Sequence, residues 1–405
     1  MTGIDPGDTA WLLVSAALVL LMTPALALFY GGMVRKKNVL STFMHSMAAI
    51  PLVTIQFVAV GYTLAFGTSH GGYVGDFSAI FLRHLAVEKH DTVPALAFAG
   101  FQTMFAVITP ALISGAIAER MRFSAYAVFI LLWTTLVYDP VAHWVWNPDG
   151  WLFKLHALDF AGGTVIHLTA GLSALVCAVR VGKRLKYPQE RPLPHNLTMT
   201  LTGAGILWFG WFGFNGGSAL KSGAIAALAF VTTHLGAAGG ALGWLLVEWW
   251  HRKKPTALGV ASGLVAGLVA ITPAAGYVAP WSAIVIGVVA SLVCYAAVLA
   301  KYKYGYDDSL DAFGVHGVGG LVGALLTGVF AEASVNADGG DGALFGGFRQ
   351  LGAQALACVV CGAYAVVVTW GILAVLDKAI GLRVPASDER EGLDTTQHGE
   401  EGYAG

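Results

Sequence analysis

The stretch TAWLLVSAALVLLMTPALALFYGGM, residues 9–33, decides the fold class. An α-helix rises 1.5 Å per residue, so about 20 apolar residues cross the hydrocarbon core of a bilayer. Residues 9–33 exceed that length. The first fifteen residues carry Asp5 and Asp8 but neither Lys nor Arg. A secretory signal instead begins with a positively charged region and has a shorter apolar core. The stretch is expected to stay in the chain as a first transmembrane helix.

Ten further apolar stretches follow, at 39–66, 94–118, 123–146, 160–180, 197–217, 223–250, 257–275, 280–300, 312–331 and 347–379. The breaks between them are short and polar, as in Arg35-Lys36-Lys37-Asn38 and Glu119-Arg120-Met121-Arg122. Short extra helices are expected near 75–87 and 147–160. Composition agrees with an all-α integral membrane protein of eleven spans. Of 405 residues 56% are hydrophobic and 12% charged, about half the charged share of a soluble domain. The 52 glycines suit helices that approach closely on small residues. A net charge of −1 supplies no basic surface for nucleic acid.

Lys and Arg concentrate in connections on the cytoplasmic side of membrane proteins. Connections after odd-numbered spans hold eighteen (Arg35, Lys36, Lys37, Arg120, Arg122, Arg180, Lys183, Arg184, Lys186, Arg191, Arg252, Lys253, Lys254, Lys301, Lys303, Lys378, Arg383 and Arg390). The others hold five: Arg83, Lys89, Lys154, Lys221 and Arg349. The N-terminus is expected outside and the C-terminus in the cytoplasm. If the first ten spans form two sets of five, the second set enters upside down, an inverted repeat with a substrate site at its interface and an extra C-terminal helix. A local echo fits this. The fifth span opens Asp159-Phe160-Ala161-Gly162-Gly163 and reaches His167, and the tenth opens Asp311-Ala312-Phe313-Gly314 and reaches His316.

An ionisable side chain in a spanning helix costs about 2.5–3.5 kcal/mol on insertion scales, so each is a functional candidate. They are His45, Asp139, His143, His167, His234 and His316. For His45, His143 and His234 a structural hydrogen bond to a neighbouring helix is the simpler account, and Asp139 before Pro140 has the same explanation. His167 and His316 differ in being flanked by glycines, which lets helices close around an imidazole lining a narrow gap. Two neutral imidazoles in an apolar lumen offer donors and acceptors to a small polar solute and can pass a proton. A metal site lacks a third ligand at suitable depth. Cys177, Cys294, Cys358 and Cys361 lie in apolar segments, and Cys358-x-x-Cys361, without histidine or further cysteine at ligand spacing, is assigned to packing. An aromatic cluster is expected towards the outer half, from Phe101-Gln102-x-x-Phe105, Trp144-Val145-Trp146 and Trp208 to Ser218. Membrane-anchoring aromatics account for most of it. Converging with the Ser218 hydroxyl, some of them could hold a small cation.

The segments Asp159 to His167, Phe101-Gln102-x-x-Phe105, Thr109 to Arg120, Ala142 to Trp146, Gly210 to Ser218 and Asp311-x-Phe313-Gly314-Val315-His316-Gly317 resemble the ammonium transporter family, which also includes methylammonium permeases and Rhesus glycoproteins. The likeness spans nearly the whole chain. With Trp146 and Ser218 both present, it is nearer the bacterial ammonium transporter branch. The resemblance implies an eleven-helix homotrimer in the plasma (inner) membrane, with one pore per subunit and neither cofactor nor enzymatic activity. It implies an outer ammonium site of Phe105, Trp146 and Ser218, with Phe101 as a lesser wall. It further implies a gate of Phe105 on Phe214, twin lumen histidines His167 and His316, and Asp159 as a buried structural acid.

Residues 1–380 would then be the transport domain and 381–405 a cytoplasmic regulatory tail packed under the subunits, with a trimeric PII-type signalling protein docking on the cytoplasmic face. Composition alone permits a disordered acidic end. Two other functions compete. One is an ammonium sensor on the same scaffold, against which stands the lack of a kinase-like or cyclase-like extension. The other is an intramembrane enzyme, for which a nucleophile and base at matching depth are missing.

Overall fold

The computed structural model describes residues 3–189 and 193–403. Arg191, one of the cationic residues counted above, lies outside them. The described chain is almost entirely helical: α1 (Pro6–Met33), α2 (Val39–Gln56), α3 (Tyr62–Phe66), α4 (Ala95–Ile117), α5 (Phe123–Trp133), α6 (Asp139–Trp146), α7 (Trp151–Lys154), α8 (Thr169–Val181), α9 (Leu197–Gly217), α10 (Ala224–Arg252), α11 (Ala257–Ile271), α12 (Pro280–Tyr304), α13 (Val318–Phe330), α14 (Phe348–Ala379) and α15 (Ala386–Glu391). Two small hairpins, Ser69–His70 with Val74–Gly75 and Lys89–His90 with Val93–Pro94, are the paired strands among the described residues.

Several spans are continuous rods interrupted by one wide π-turn. Phe57–Gly61 joins α2 to α3, and Thr134–Tyr138 joins α5 to α6 just ahead of Pro140, whose ring cannot accept the normal helical hydrogen-bond pattern. Counting such rods whole, ten helical segments among the described residues are long and apolar enough to cross a membrane. The stretch expected at 257–275 is shorter as a helix. It ends at Ile271 and continues as turns through Tyr277. Of the two regions expected to add short helices, 147–160 contains α7, and 75–87 holds two single 3-10 turns.

Connections gather at two ends of the bundle. At one end Asp8 accepts from Thr92 and Ser222, Trp151 N–H donates to Gly72, and Asn336 donates to Gly276. At the other, which also carries the C-terminal segment, Glu119 pairs with Arg35 (2.8 Å) and Arg184 (3.0 Å), and Arg184 pairs with Asp307 (2.8 Å). Burial pushes the Glu119 carboxyl up, but the two guanidiniums outweigh it and hold it below the usual range. Asp307 is likewise held low, its burial outweighed by the Arg184 hydrogen bonds.

The C-terminal segment docks on this end. Met121 pairs with Arg383 as a β-bridge, and Glu389 accepts from Leu185 N–H and pairs with Arg383. Asn38 Oδ1 accepts the Leu393 N–H, and Asp394 accepts the N–H groups of Leu40 and Ser41 at the start of α2. These orphan donors at a helix N-terminus are usually capped by a residue next to it in sequence. Here the cap comes from the far end of the chain.

Candidate functional site

Asp159 shapes one side of the site. Its Oδ1 accepts N–H groups of Gly162 (3.0 Å) and Gly163 (2.6 Å), and its Oδ2 those of Thr164 and Val165 (both 2.9 Å). Four backbone donors on one carboxylate fix the π-turn Gly163–Leu168 that leads into α8. The chain enters through Gly162 at φ 109°, a region that disfavours a side chain. His167 sits on this turn.

The second half repeats the device, with one correction to the residue expected. Asp311 is not the counterpart of Asp159. It forms an ion pair with Lys301 at 2.5 Å. The capping acid is Asp308, which accepts from Ala312 (3.0 Å), Phe313 (2.8 Å) and Gly314 (3.4 Å) and fixes the π-turn Phe313–Gly317 carrying His316. Each histidine follows its acid by eight residues, 159 to 167 and 308 to 316. The second turn crosses α8 where a Cβ on Gly171 would stand 2.0 Å from Gly317 N, so the close approach needs glycine there.

This crossing brings the imidazoles together. Their rings are stacked with centroids 5.3 Å apart and 16° between planes, and their Nδ1 atoms are 3.3 Å apart. One Nδ1 donates and the other accepts, according to tautomer. The surrounding lumen is otherwise apolar, lined by residues that include Met22, Leu26, Ile108, Leu207 and Val265. Its volume is about 10 Å³, room for one water-sized molecule. Trp211 stacks on His167 at 5.4 Å and spends its indole N–H on Thr272 Oγ1.

Phe214 closes the same lumen and packs on Phe105, with centroids 4.4 Å apart and planes tilted 35°. Beyond that pair lies a wider cavity of about 300 Å³, lined by Phe105, Trp146, Ser218, Tyr62, Gln102 and others. Trp146 stands edge-on to Phe105 at 6.1 Å, and its N–H donates to Asp159 O at 2.8 Å, which locks the indole. Ser218 Oγ donates to Phe214 O at 2.8 Å, leaving its lone pairs for an incoming donor. Phe101 is not part of this wall: it packs edge-on behind Phe105 at 4.7 Å. Of the eight residues singled out for the site, six line one path, and Phe101 and Asp159 support it from behind. Gln102 and Trp211 join it though neither was singled out. Their only sequence signal was membership of the quoted motifs.

Most of the other membrane-depth polar groups have local partners. Asp139 accepts from Gln56 Nε2 at 2.8 Å. His143 bonds Ala65 O and Ser69 Oγ, and His234 stacks on Trp208. The hydrogen bond expected for His45 is not formed: both ring nitrogens are buried without a partner among the described residues, and the imidazole packs edge-on against Tyr126. Cys358 and Cys361 are free and buried.

Residues 10–403 match the family model described as Ammonium Transporter Family. The chain belongs to that family. The ammonium transporter of Bacillus subtilis (strain 168) is 49% identical over 401 residues, covering 98% of each chain. Among solved structures, this ammonium transporter family member is similar to Saccharomyces cerevisiae Mep2, with a TM-score of 0.89, 38% identity and coverage of 95% of this chain and 89% of that one. It is also similar to a protein described as Sensor Amt Protein, with a TM-score of 0.90, 31% identity and coverage of 97% and 98%.

Proposed function

We propose that this family member takes up ammonium at the aromatic cavity, removes its proton and passes ammonia through the histidine-lined lumen. The observation that carries this is the imidazole pair, Nδ1 to Nδ1 at 3.3 Å, in an otherwise apolar passage behind the Phe105–Phe214 pair. A bare cation entering a dry lumen meets an idealised desolvation cost of order 20 kcal/mol. Aromatic faces return about 2 kcal/mol at the cavity. Potassium has no way around the rest. Ammonium does: one N–H bond breaks, the proton goes to an imidazole nitrogen, and neutral ammonia proceeds. Selectivity then rests on deprotonation rather than on fit. A proton that crosses on the histidine pair makes the transport electrogenic.

In this reading Phe105, Trp146 and Ser218 hold the cation, Phe105 and Phe214 gate the lumen, and Asp159 holds the local backbone. The chain spans the plasma (inner) membrane eleven times as an inverted five-plus-five repeat with α14 added, α11 being the eighth crossing. The N-terminus is outside and residues 381–405 form a cytoplasmic regulatory tail. The eighteen-to-five bias in Lys and Arg supports that orientation. The assembly is a homotrimer, and its cytoplasmic face receives a PII-type signalling protein, which a pull-down with and without ADP or 2-oxoglutarate tests.

The deciding experiment replaces both lumen histidines, His167→Leu with His316→Leu, in proteoliposomes. Selective ammonium-driven current is expected to disappear. Survival of both current and potassium exclusion overturns the proton-carrying role. Similarity to a sensor protein favours a second reading, an ammonium sensor signalling through a partner. A sensor would bind ammonium in the same vesicles without flux above background.

A further inference from the structure

Gln102 is the one cavity-lining amide without a bonding role among the described residues. It is 8% exposed and stands on α4 three residues before Phe105, which puts both on one helix face towards the same cavity as Trp146 and Ser218. Its Oε1 has no hydrogen-bond partner. Gln56 and Asn215 also leave an amide oxygen unpartnered, but their NH2 groups are spent on Asp139 and Thr233, and Gln354 is bonded at both ends. Gln102 differs in lining the cavity with no side-chain bond to a neighbouring helix among the described residues. Natural proteins satisfy nearly all buried polar atoms, so an orphaned carbonyl oxygen beside a cavity points to something that arrives there.

The chemistry of the cavity says what. Ammonium has four N–H donors. The Trp146 indole is a donor already spent on Asp159 O, and the Asn147 Oδ1 acceptor is taken by Asp149 N–H. Aromatic faces attract the charge without accepting a directed hydrogen bond of ordinary strength. Ser218 Oγ offers lone pairs, because its own proton goes to Phe214 O. A side-chain amide turns on a broad terminal torsion, so Oε1 can swing into the cavity at little cost. We infer that Gln102 is a further substrate-positioning residue, whose Oε1 accepts an N–H of ammonium alongside Ser218. This rests on the reading of the aromatic cavity as the ammonium site.

The test measures ammonium-driven currents in proteoliposomes of the full chain across a concentration series. Gln102→Met keeps length and removes the acceptor, and Gln102→Glu keeps acceptor oxygens. Gln102→Met is expected to raise the half-saturating ammonium concentration about ten-fold, the size of a lost hydrogen bond to a charged group. Maximal current should fall by less than about two-fold, and Gln102→Glu should restore or better the wild-type affinity. A fall in maximal current with unshifted half-saturation, or equal shifts in the Met and Glu variants, overturns the inference. If Gln102→Met does not assemble, half-saturation in Gln102→Glu decides: tighter ammonium binding supports the role and weaker binding overturns it. Ser218→Ala in the same series separates the two failures. A shift there without one in Gln102→Met removes only Gln102, and no shift in either removes the cavity as the ammonium site.

Discussion

Two aspartates perform the same local task in surroundings that have little in common. Asp159 gathers four backbone N–H groups to start the turn carrying His167, and Asp308 gathers three to start the turn carrying His316. Around Asp159 the neighbours are neutral: its own carbonyl takes the Trp146 indole, and the wide cavity opens beside it. Around Asp308 they are ionic. Lys301 donates to its carbonyl and pairs with Asp311, and the adjacent Asp307 pairs with Arg184, which reaches Glu119. One device therefore builds a ligand-sized space at one end and a cross-linked floor at the other. The carboxylate cap fixes where the histidine sits. Its neighbours decide whether that end is open or tied shut.

The strongest test of that equivalence is to remove the acids singly. Asp159→Ala and Asp308→Ala each leave three or four buried N–H groups without an acceptor, and each is expected to cost about 4 kcal/mol or more of stability in detergent. Asp311→Ala removes a partly exposed ion-pair partner and should cost about 1 kcal/mol. Thermal melts of the three variants check this. If Asp311→Ala is as damaging as Asp159→Ala while Asp308→Ala is mild, the assignment of Asp308 as the second cap fails.

Which parts of this were legible beforehand follows from what kind of force sets them. Spans are set by summed apolarity over some twenty residues, and that sum survives any ignorance of contacts. The lumen histidines were legible because a buried imidazole is costly and both were flanked by glycine. The second cap was not. Asp311 stands beside the Ala312-Phe313-Gly314 run that mimics the first half, whereas the physical requirement is an acid eight residues before the histidine, so that N–H groups of the turn between them converge on it. Gln102 stayed hidden for a related reason. A neutral amide raises no alarm in an apolar helix, and only an unpartnered Oε1 together with a place on the cavity wall marks it out. The helix of α11 ends at Ile271 although apolar residues continue, because Pro273 lacks a backbone donor and the chain turns instead.

Acid should sharpen the contrast between the ends. Glu119 and Asp307 are held below their ordinary values, burial being outweighed by their Arg partners. A carboxyl whose folded value is depressed stabilises fully above its unfolded value and loses that contribution as pH falls through the folded one. The window therefore opens near pH 4, the ordinary carboxylate range, and runs downward. Across it the ion-paired end is expected to lose on the order of 2 kcal/mol. Hydrogen exchange at stepwise lower pH reads this as protection lost first around residues 119–122, 182–185 and 383–394. Uniform loss over both ends would mean that the ion pairs are incidental to the floor.

The smallest effect concerns a third helix start held by an aspartate. Asp394 caps α2 through Leu40 and Ser41, but it arrives from the C-terminal segment rather than from the preceding turn. Where Asp159 and Asp308 stand in the chain just ahead of the turns they start, Asp394 can leave without unravelling α2, because water can replace it once the departing segment uncovers that end. Asp394→Ala should therefore cost about 1 kcal/mol, the usual size of a lost cap, and the cost should fall on docking of the segment. Limited proteolysis is the suitable measurement, since cleavage between residues 385 and 403 tracks the undocked fraction when docking is fast. A rise in cleavage rate of about five-fold corresponds to that energy, with the thermal melt of the bundle shifted by less than about a degree. Were the melt to fall as far as in Asp308→Ala, the C-terminal segment would be as integral to the bundle as the capped turns. The distinction between a cap built into a helix and one delivered to it would then be lost.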